Sequence, residues 1–153
     1  MPPRLTEEPL RVSEMIAEAV RNSDGAVAVF VGVVRNENAG LPVDAIEYSS
    51  YRPMAERELE KIETEIASEF PETRTSIRHR VGMLRVGEES VAIVAVSPHR
   101  REALAACHEA IERVKSRAPI WKRECGPGRE PSWVDSRSGD IVMDDGGRHE
   151  QRR

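Results

Sequence analysis

Two lysines, Lys115 and Lys122, flank the apolar segment Ala118-Pro119-Ile120-Trp121. An ammonium group beside apolar surface either reaches water with its tip or sits in a partly dry pocket. In the second case burial favours the neutral amine, and a lysine becomes available as nucleophile, base or charge clamp. Advanced at roughly 100° per residue, Lys115 shares a helical stripe with Leu104, Cys107, Ile111 and Val114. The ordinary alternative is a cation in a last helical turn, complementing the helix dipole. For Lys122, strand alternation groups Ile120, Lys122 and Glu124 on one face and Trp121, Arg123 and Cys125 on the other. Its ordinary alternative is an edge strand carrying a solvated Lys–Glu pair.

Two further clusters can hold an anion. Ser97-Pro98-His99-Arg100 stands between a predicted strand and a predicted helix, where free backbone N–H groups, an imidazole and a guanidinium make a phosphate cradle. A capped turn with two surface residues is the plain alternative. Arg35 ends an apolar run beside Asn36 and Asn38, a position that serves either a ligand or the surface. Cys107-His108, inside a helix, reads as packing. His79-Arg80 and Arg85 form no pattern that assigns them a partner.

The elements that must position these groups follow from periodicity. Val12 to Arg21 is helical, with Ser13 as N-cap. Ala26 to Val34 is a strand of the type buried on both faces, and Arg35 to Gly40 is a polar loop. Val43 to Tyr51 is a strand, followed by a helix that carries Pro53 in its first turn and runs to about Phe70. Thr75–Val81 and Glu89–Ser97 are strands. The helix after Pro98 ends near Arg117, because the residue before Pro119 is driven from helical geometry. Ile120–Cys125 is a strand, and Trp133-Val134 adds a short one. Strands and helices mix without strict alternation, which predicts an α+β fold.

Composition narrows the class. The chain has 153 residues, 33% of them charged, and a formal charge of −4. That suits one soluble domain over 1–137 with a polar tail over 138–153, and it offers no electrostatic reason to bind nucleic acid or an acidic membrane. Two distant cysteines and four scattered histidines make neither a disulfide framework nor a metal-ligand pattern, so no metal or resident cofactor is expected. The longest apolar run is too short to span a bilayer, and the chain reads as cytoplasmic.

Several segments together resemble the catalytic (large) subunit family of molybdopterin synthase. They are Phe30-Val31-Gly32-Val33-Val34-Arg35-Asn36 with Asn38 and Gly40, Glu47 to Ala55, His79-Arg80-Val81-Gly82, Ser97 to Arg100, Lys115 to Glu124, and Trp133-Val134. The run Lys115-Ser116-Arg117-Ala118-Pro119-Ile120-Trp121-Lys122-Arg123-Glu124 is the most specific. Ser49 departs from the family, which carries a larger, often acidic residue there. The resemblance covers residues 9 to 137. It implies an α/β-hammerhead type of fold with a mixed or antiparallel sheet and about three main helices. It also implies a homodimer within a heterotetramer, and a small ubiquitin-like partner ending in a Gly-Gly thiocarboxylate. The partner would deliver sulfur to cyclic pyranopterin monophosphate, forming the dithiolene of molybdopterin. By the same resemblance Lys115 and Lys122 are catalytic. Val33, Val34, Arg35, His99, Arg100, Arg123, Glu124 and Arg137 join them in binding substrate.

One geometric expectation follows. His99 and Lys115 lie at opposite ends of one helix, about 24 Å apart at 1.5 Å per residue. A small pterin cannot touch both, so the site is expected to combine residues of two subunits. The competing function is a non-catalytic dimeric module that binds a phosphorylated metabolite or a partner's tail.

Overall fold

The computed structural model describes residues 3–135 and 137–142. Its elements in order are β1 (Leu5–Thr6), α1 (Val12–Ala19), β2 (Ala26–Val33), β3 (Glu37–Asn38), β4 (Leu41–Pro42) and β5 (Ala45–Ser50). They continue with α2 (Arg52–Glu69), β6 (Arg74–Arg80), β7 (Gly82–Arg85), β8 (Glu89–Ser97), α3 (Arg100–Arg117), β9 (Ile120–Cys125), β10 (Ser132–Val134) and β11 (Ile141–Val142). One sheet has the order β1-β6-β8-β2 and the other β11-β10-β9-β5-β7, while β3 and β4 form a small hairpin. The first sheet is mixed, since β1 joins β6 in parallel, and the second is antiparallel throughout. Three helices with mixed and antiparallel sheets make the expected α+β class.

β8 is the strand on which both cores are built. Val91, Ile93 and Ala95 join the larger cluster formed with α2 and α3, and Ala92, Val94 and Val96 meet Leu10 and Met15 on the α1 side. All six are fully buried. The expectation that β2 is buried on both faces is therefore corrected. β2 is an edge strand, and Val27, Val29 and Val33 are 42%, 41% and 49% exposed. An apolar run is compatible with either place. The cover over each face decides it, and α1 packs on β8 and β6.

The helices show where local rules hold. α2 starts where Pro53 permits and buries Ala55, Leu59, Ile62 and Ile66 at helical spacing. α3 ends at Arg117, as Pro119 requires, with the Ala118 N–H capping Val114. Ser13 does not cap α1, because the N-cap is Arg11 in left-handed geometry at φ 53°. Leu104 does not belong to the buried stripe of α3 and is 62% exposed. The buried face instead runs through Ala103, Ala106, Cys107, Ala110, Ile111 and Val114. These small residues let the helix lie close against β2 and β8.

Two sheets meet at one residue. β6 belongs to the first and β7 to the second, with Val81 alone between them, and Gly82 takes φ 97° to turn the chain. A side chain there would hold the backbone in a conformation that L residues rarely adopt. Within the segment read as a tail, Ile141–Val142 pairs with β10, and residues 143–153 lie outside the described residues.

The corrected α3 face is directly testable by urea denaturation. Ile111→Ala should lose ~2–4 kcal/mol, the scale of a large-to-small core change. Leu104→Ala should stay within about 0.5 kcal/mol of the parent.

Candidate active site

α3 and β9 bring the two lysines to one cleft. Lys115 stands in the last turn of α3, and the same turn is tied to α2 by Arg117, whose guanidinium donates to Glu58 at 2.8 Å and to Glu65 at 2.6 Å. After Ala118 and Pro119 the chain enters β9, paired on one side with β5 and on the other with β10. That central place overturns the edge-strand alternative for Lys122. Ile120 and Glu124 are 9% and 2% exposed, and Lys122 between them is half-buried. Lys122 lies opposite Tyr48, and Glu124 opposite Ile46.

The cleft has a volume of about 180 Å³. Lys115, Lys122 and Arg35 are its cations, and Glu37 and Glu124 its carboxylates; Gly32, Val33, Asn38, Tyr48 and Ser90 complete much of the wall. The β2 register shifts between Gly32 and Val33, which turns the end of the strand and sends Arg35 to this rim. Asn38 donates to the Gly139 carbonyl at 2.7 Å, fastening the β10–β11 turn over the β3–β4 hairpin. Glu124 Oε1 is 3.7 Å from the Arg129 guanidinium and has no hydrogen-bond partner among the described residues.

Burial sets the ionisation. The Lys115 amine is pushed below the ordinary lysine range first by burial and then by the charge of Lys122. Lys122 is lowered by burial and by Arg35, with Glu124 and Asp135 acting in the opposite sense. Beneath them His79 is 4% exposed and is pushed down to about 4 by burial, with the charges of Lys115 and Lys122 acting in the same direction. The Tyr48 hydroxyl is raised, chiefly by burial, while a hydrogen bond with Ser90 opposes the shift. Amines that shed a proton readily, beside fixed positive charge, suit a site that handles an anionic acyl group.

The other candidates separate. Val33 and Arg35 line the cleft, whereas Val34 is 3% exposed and its backbone is tied to Glu88 and Gly87. Arg123 points to the opposite face of β9, where Glu47 accepts from it at 3.0 Å and Trp133 lies 5.6 Å from its guanidinium carbon. His99 caps α3 through backbone geometry alone, and both His99 and Arg100 are exposed and outside the cleft. Ser97 does not join them in a cradle; it is 1% exposed and accepts from Thr73. Arg137 lies in the β10–β11 turn, paired with Asp135 at 3.5 Å, two residues before the cleft-lining Gly139. Sequence reasoning left Tyr48, Ser90 and His79 without a role. Tyr48 and His79 share the inward phase of strand alternation, a signal that the doubly buried β8 does not offer for Ser90.

The chain matches the family described as MoaE protein over residues 5–117. The chain belongs to the MoaE family. A curated relative from Nostoc sp., a molybdopterin synthase catalytic subunit, is 44% identical over 131 residues, covering 85% of this chain and 79% of the relative. The crystal structure of molybdopterin synthase from Staphylococcus aureus superposes with a TM-score of 0.82 at 38% identity, covering 86% of this chain and 95% of the other. A chain from the complex of subunits 1 and 2 of molybdopterin-converting factor from Helicobacter pylori 26695 shares the fold. Its TM-score is 0.71 at 22% identity, over 94% and 96% of the two chains. These MoaE relatives are molybdopterin synthase catalytic subunits, and the α+β architecture described above is theirs.

Two expectations follow from the MoaE cleft. Replacing Lys122 by Met removes a neighbouring positive charge, so the pH midpoint for acylation of Lys115 by an amine-selective reagent should move upward. Mass spectrometry across a pH series reads it. For His79 the unfolded value is 6.5 and the folded value about 4. Between them the unfolded chain binds more protons, so stability falls as pH drops from 6.5 to 4, by on the order of 3 kcal/mol. His79→Gln should flatten that part of the curve in urea denaturation.

Proposed function

We propose that this chain transfers sulfur from the C-terminal thiocarboxylate of a small ubiquitin-like partner to cyclic pyranopterin monophosphate, building the dithiolene of molybdopterin. The observation that carries this reading is the convergence of Lys115 and Lys122, both with lowered pKa, on one cleft that also holds Arg35 and Glu124. In each transfer the thiocarboxylate sulfur attacks a pterin side-chain carbon and displaces an oxygen from it. Water then attacks the acyl carbon, the bond between sulfur and that carbon breaks, and the partner leaves as a carboxylate. The two amines hold the acyl oxygen and stabilise charge as that carbon is attacked. Whichever amine is neutral accepts or returns a proton. Ile46 and Tyr48 keep the wall dry, which limits hydrolysis of the sulfur donor. A non-catalytic binding module has no use for amines held below their ordinary range.

The working assembly in this reading is cytoplasmic: a homodimer with a sulfur carrier on each subunit, as a heterotetramer. Each site takes Lys115, Lys122, Arg35 and Glu124 from one subunit and His99, Arg100 and Arg137 from the other. The length of α3 and the exposure of His99 and Arg100 support the division, since neither residue can serve the cleft of its own chain. Guanidinium and imidazole then meet the substrate phosphate. Arg123, held by Glu47 and Trp133, contributes by fixing β9.

The test is reconstitution with a thiocarboxylated partner and cyclic pyranopterin monophosphate, with dithiolene product read by mass spectrometry. Lys115→Ala should lower turnover roughly 10²–10³-fold, the scale of losing one charge-stabilising donor. Mixing Lys115→Ala with His99→Ala chains should return roughly a quarter of parental activity, because half the dimers are mixed and each has one intact site. No product despite partner binding removes the sulfur-transfer reading. No recovery despite proven subunit exchange removes the shared site.

A further inference from the structure

His79 enters neither the family's expected site nor the main cleft, yet it is the buried titratable group nearest in kind to the chemistry. A second chamber, of about 10 Å³, lies between Tyr48, His79, Val114, Lys115, Ala118 and Ile120. Tyr48 and Lys115 line both this chamber and the main cleft, so the Lys115 side chain forms part of the wall between them.

The His79 ring is held on three sides. Its Nδ1 lies 2.7 Å from the Arg80 carbonyl oxygen, which can only accept, so Nδ1 carries the proton and Nε2 is left as an acceptor. Tyr48 packs on the ring edge-on, with centroids 5.1 Å apart and planes at 68°. The backbone is fixed by pairing with Leu5 in β1 and Val91 in β8. An imidazole so held, 4% exposed, has one tautomer and one orientation.

We propose that His79 is the positioning residue of Lys115: a neutral imidazole, locked in one tautomer, whose Nε2 is the acceptor that orients the Lys115 amine towards the main cleft. The inference deepens the sulfur-transfer reading and rests on Lys115 acting there. The charge type of the acceptor is the point. A carboxylate in that place would pull Lys115 back to a permanent cation. A neutral acceptor orients the amine and favours the ammonium far less than a carboxylate would, so burial and Lys122 stay the larger influences. The other charged or titratable groups around Lys115 are Lys122 and Glu124 from β9, Tyr48 from β5, Glu37 from β3 and Arg35 from the end of β2. The charges of Lys115 and Lys122 both disfavour protonation of His79.

Two substitutions separate positioning from mere packing. Gln places an amide oxygen near the position of Nε2, and Asn places its polar atoms near Nδ1. If Nε2 orients Lys115, His79→Asn should lower turnover roughly tenfold or more, the scale of one hydrogen bond to a charged group. KM for the carrier should change little. His79→Gln should recover most of the loss. The pH midpoint for Lys115 acylation should fall in His79→Asn and return towards the parental value in His79→Gln. If His79 only holds the Arg80 carbonyl, the order reverses, with Asn the better substitute, and the proposal is overturned. A measurement on the folded parent guards against variants that do not fold. Long-range ¹H–¹⁵N correlation should show His79 protonated at Nδ1, and its Nε2 resonance should move in Lys115→Met. An Nε2 resonance indifferent to Lys115 also overturns the proposal. Because acylation and NMR need no carrier or pterin, failure here is distinguishable from failure of the sulfur-transfer reading.

Discussion

Two ammonium groups held half-buried beside each other are mutually repulsive and poorly solvated, and the folded chain keeps them together. Burial of both amines strengthens their repulsion, since less solvent screens it. Lys122 is fixed by a central strand with hydrogen-bonded neighbours on both sides, and Lys115 by a helix end that Arg117 ties to Glu58 and Glu65. The backbone at both positions is thereby fixed, so both side chains start from the wall of one cleft. Glu124, almost fully buried, offsets part of the charge at Lys122. An anion entering the cleft meets positive charge whose placement was settled on folding, so little reorganisation accompanies its arrival.

That arrangement requires both sheets. β9 and β5 carry Lys122, Glu124 and Tyr48, while β6 and β8 carry His79 and Ser90. α3 spans from the first sheet to the start of β9 and delivers Lys115 at the seam. The twofold-buried β8 supplies the rigid plane against which α3 lies, and the small residues of its buried face set the depth of Lys115. Substrate contacts at the far end of α3 belong, in the proposed assembly, to a neighbouring cleft. One helix then contributes to two sites, and the dimer becomes a catalytic requirement.

Much of this was legible in residue order. Pro119 marked the end of α3, and alternation placed Lys122 and Glu124 on one face of β9, because those rules act over a few residues. Lys115 was reached by a stripe that included Leu104, which is exposed; the inference held because Ile111 and Val114 lie on the true face. What stayed hidden depends on distant partners. The apolar run of β2 looked doubly buried, since nothing local says that α1 covers β8 and stops short of it. Arg11 caps α1 through backbone geometry, which no side-chain rule anticipates. Tyr48, Ser90 and His79 meet only after strands far apart in sequence have paired.

The alternation of β6 carries a consequence for how the gene can vary. Thr75, Ile77 and His79 are buried, and Arg74, Ser76, Arg78 and Arg80 between them are partly exposed. Loss or gain of one codon would exchange the two sets, bringing guanidinium groups where methyls and the imidazole now stand. Gly82, one residue beyond β6 and Val81, fixes where the chain must leave, so slippage has no slack to absorb it. Length changes in descendants of this sequence should therefore gather in the exposed turn around Pro127 and Gly128, and the span from Arg74 to Gly82 should keep its count.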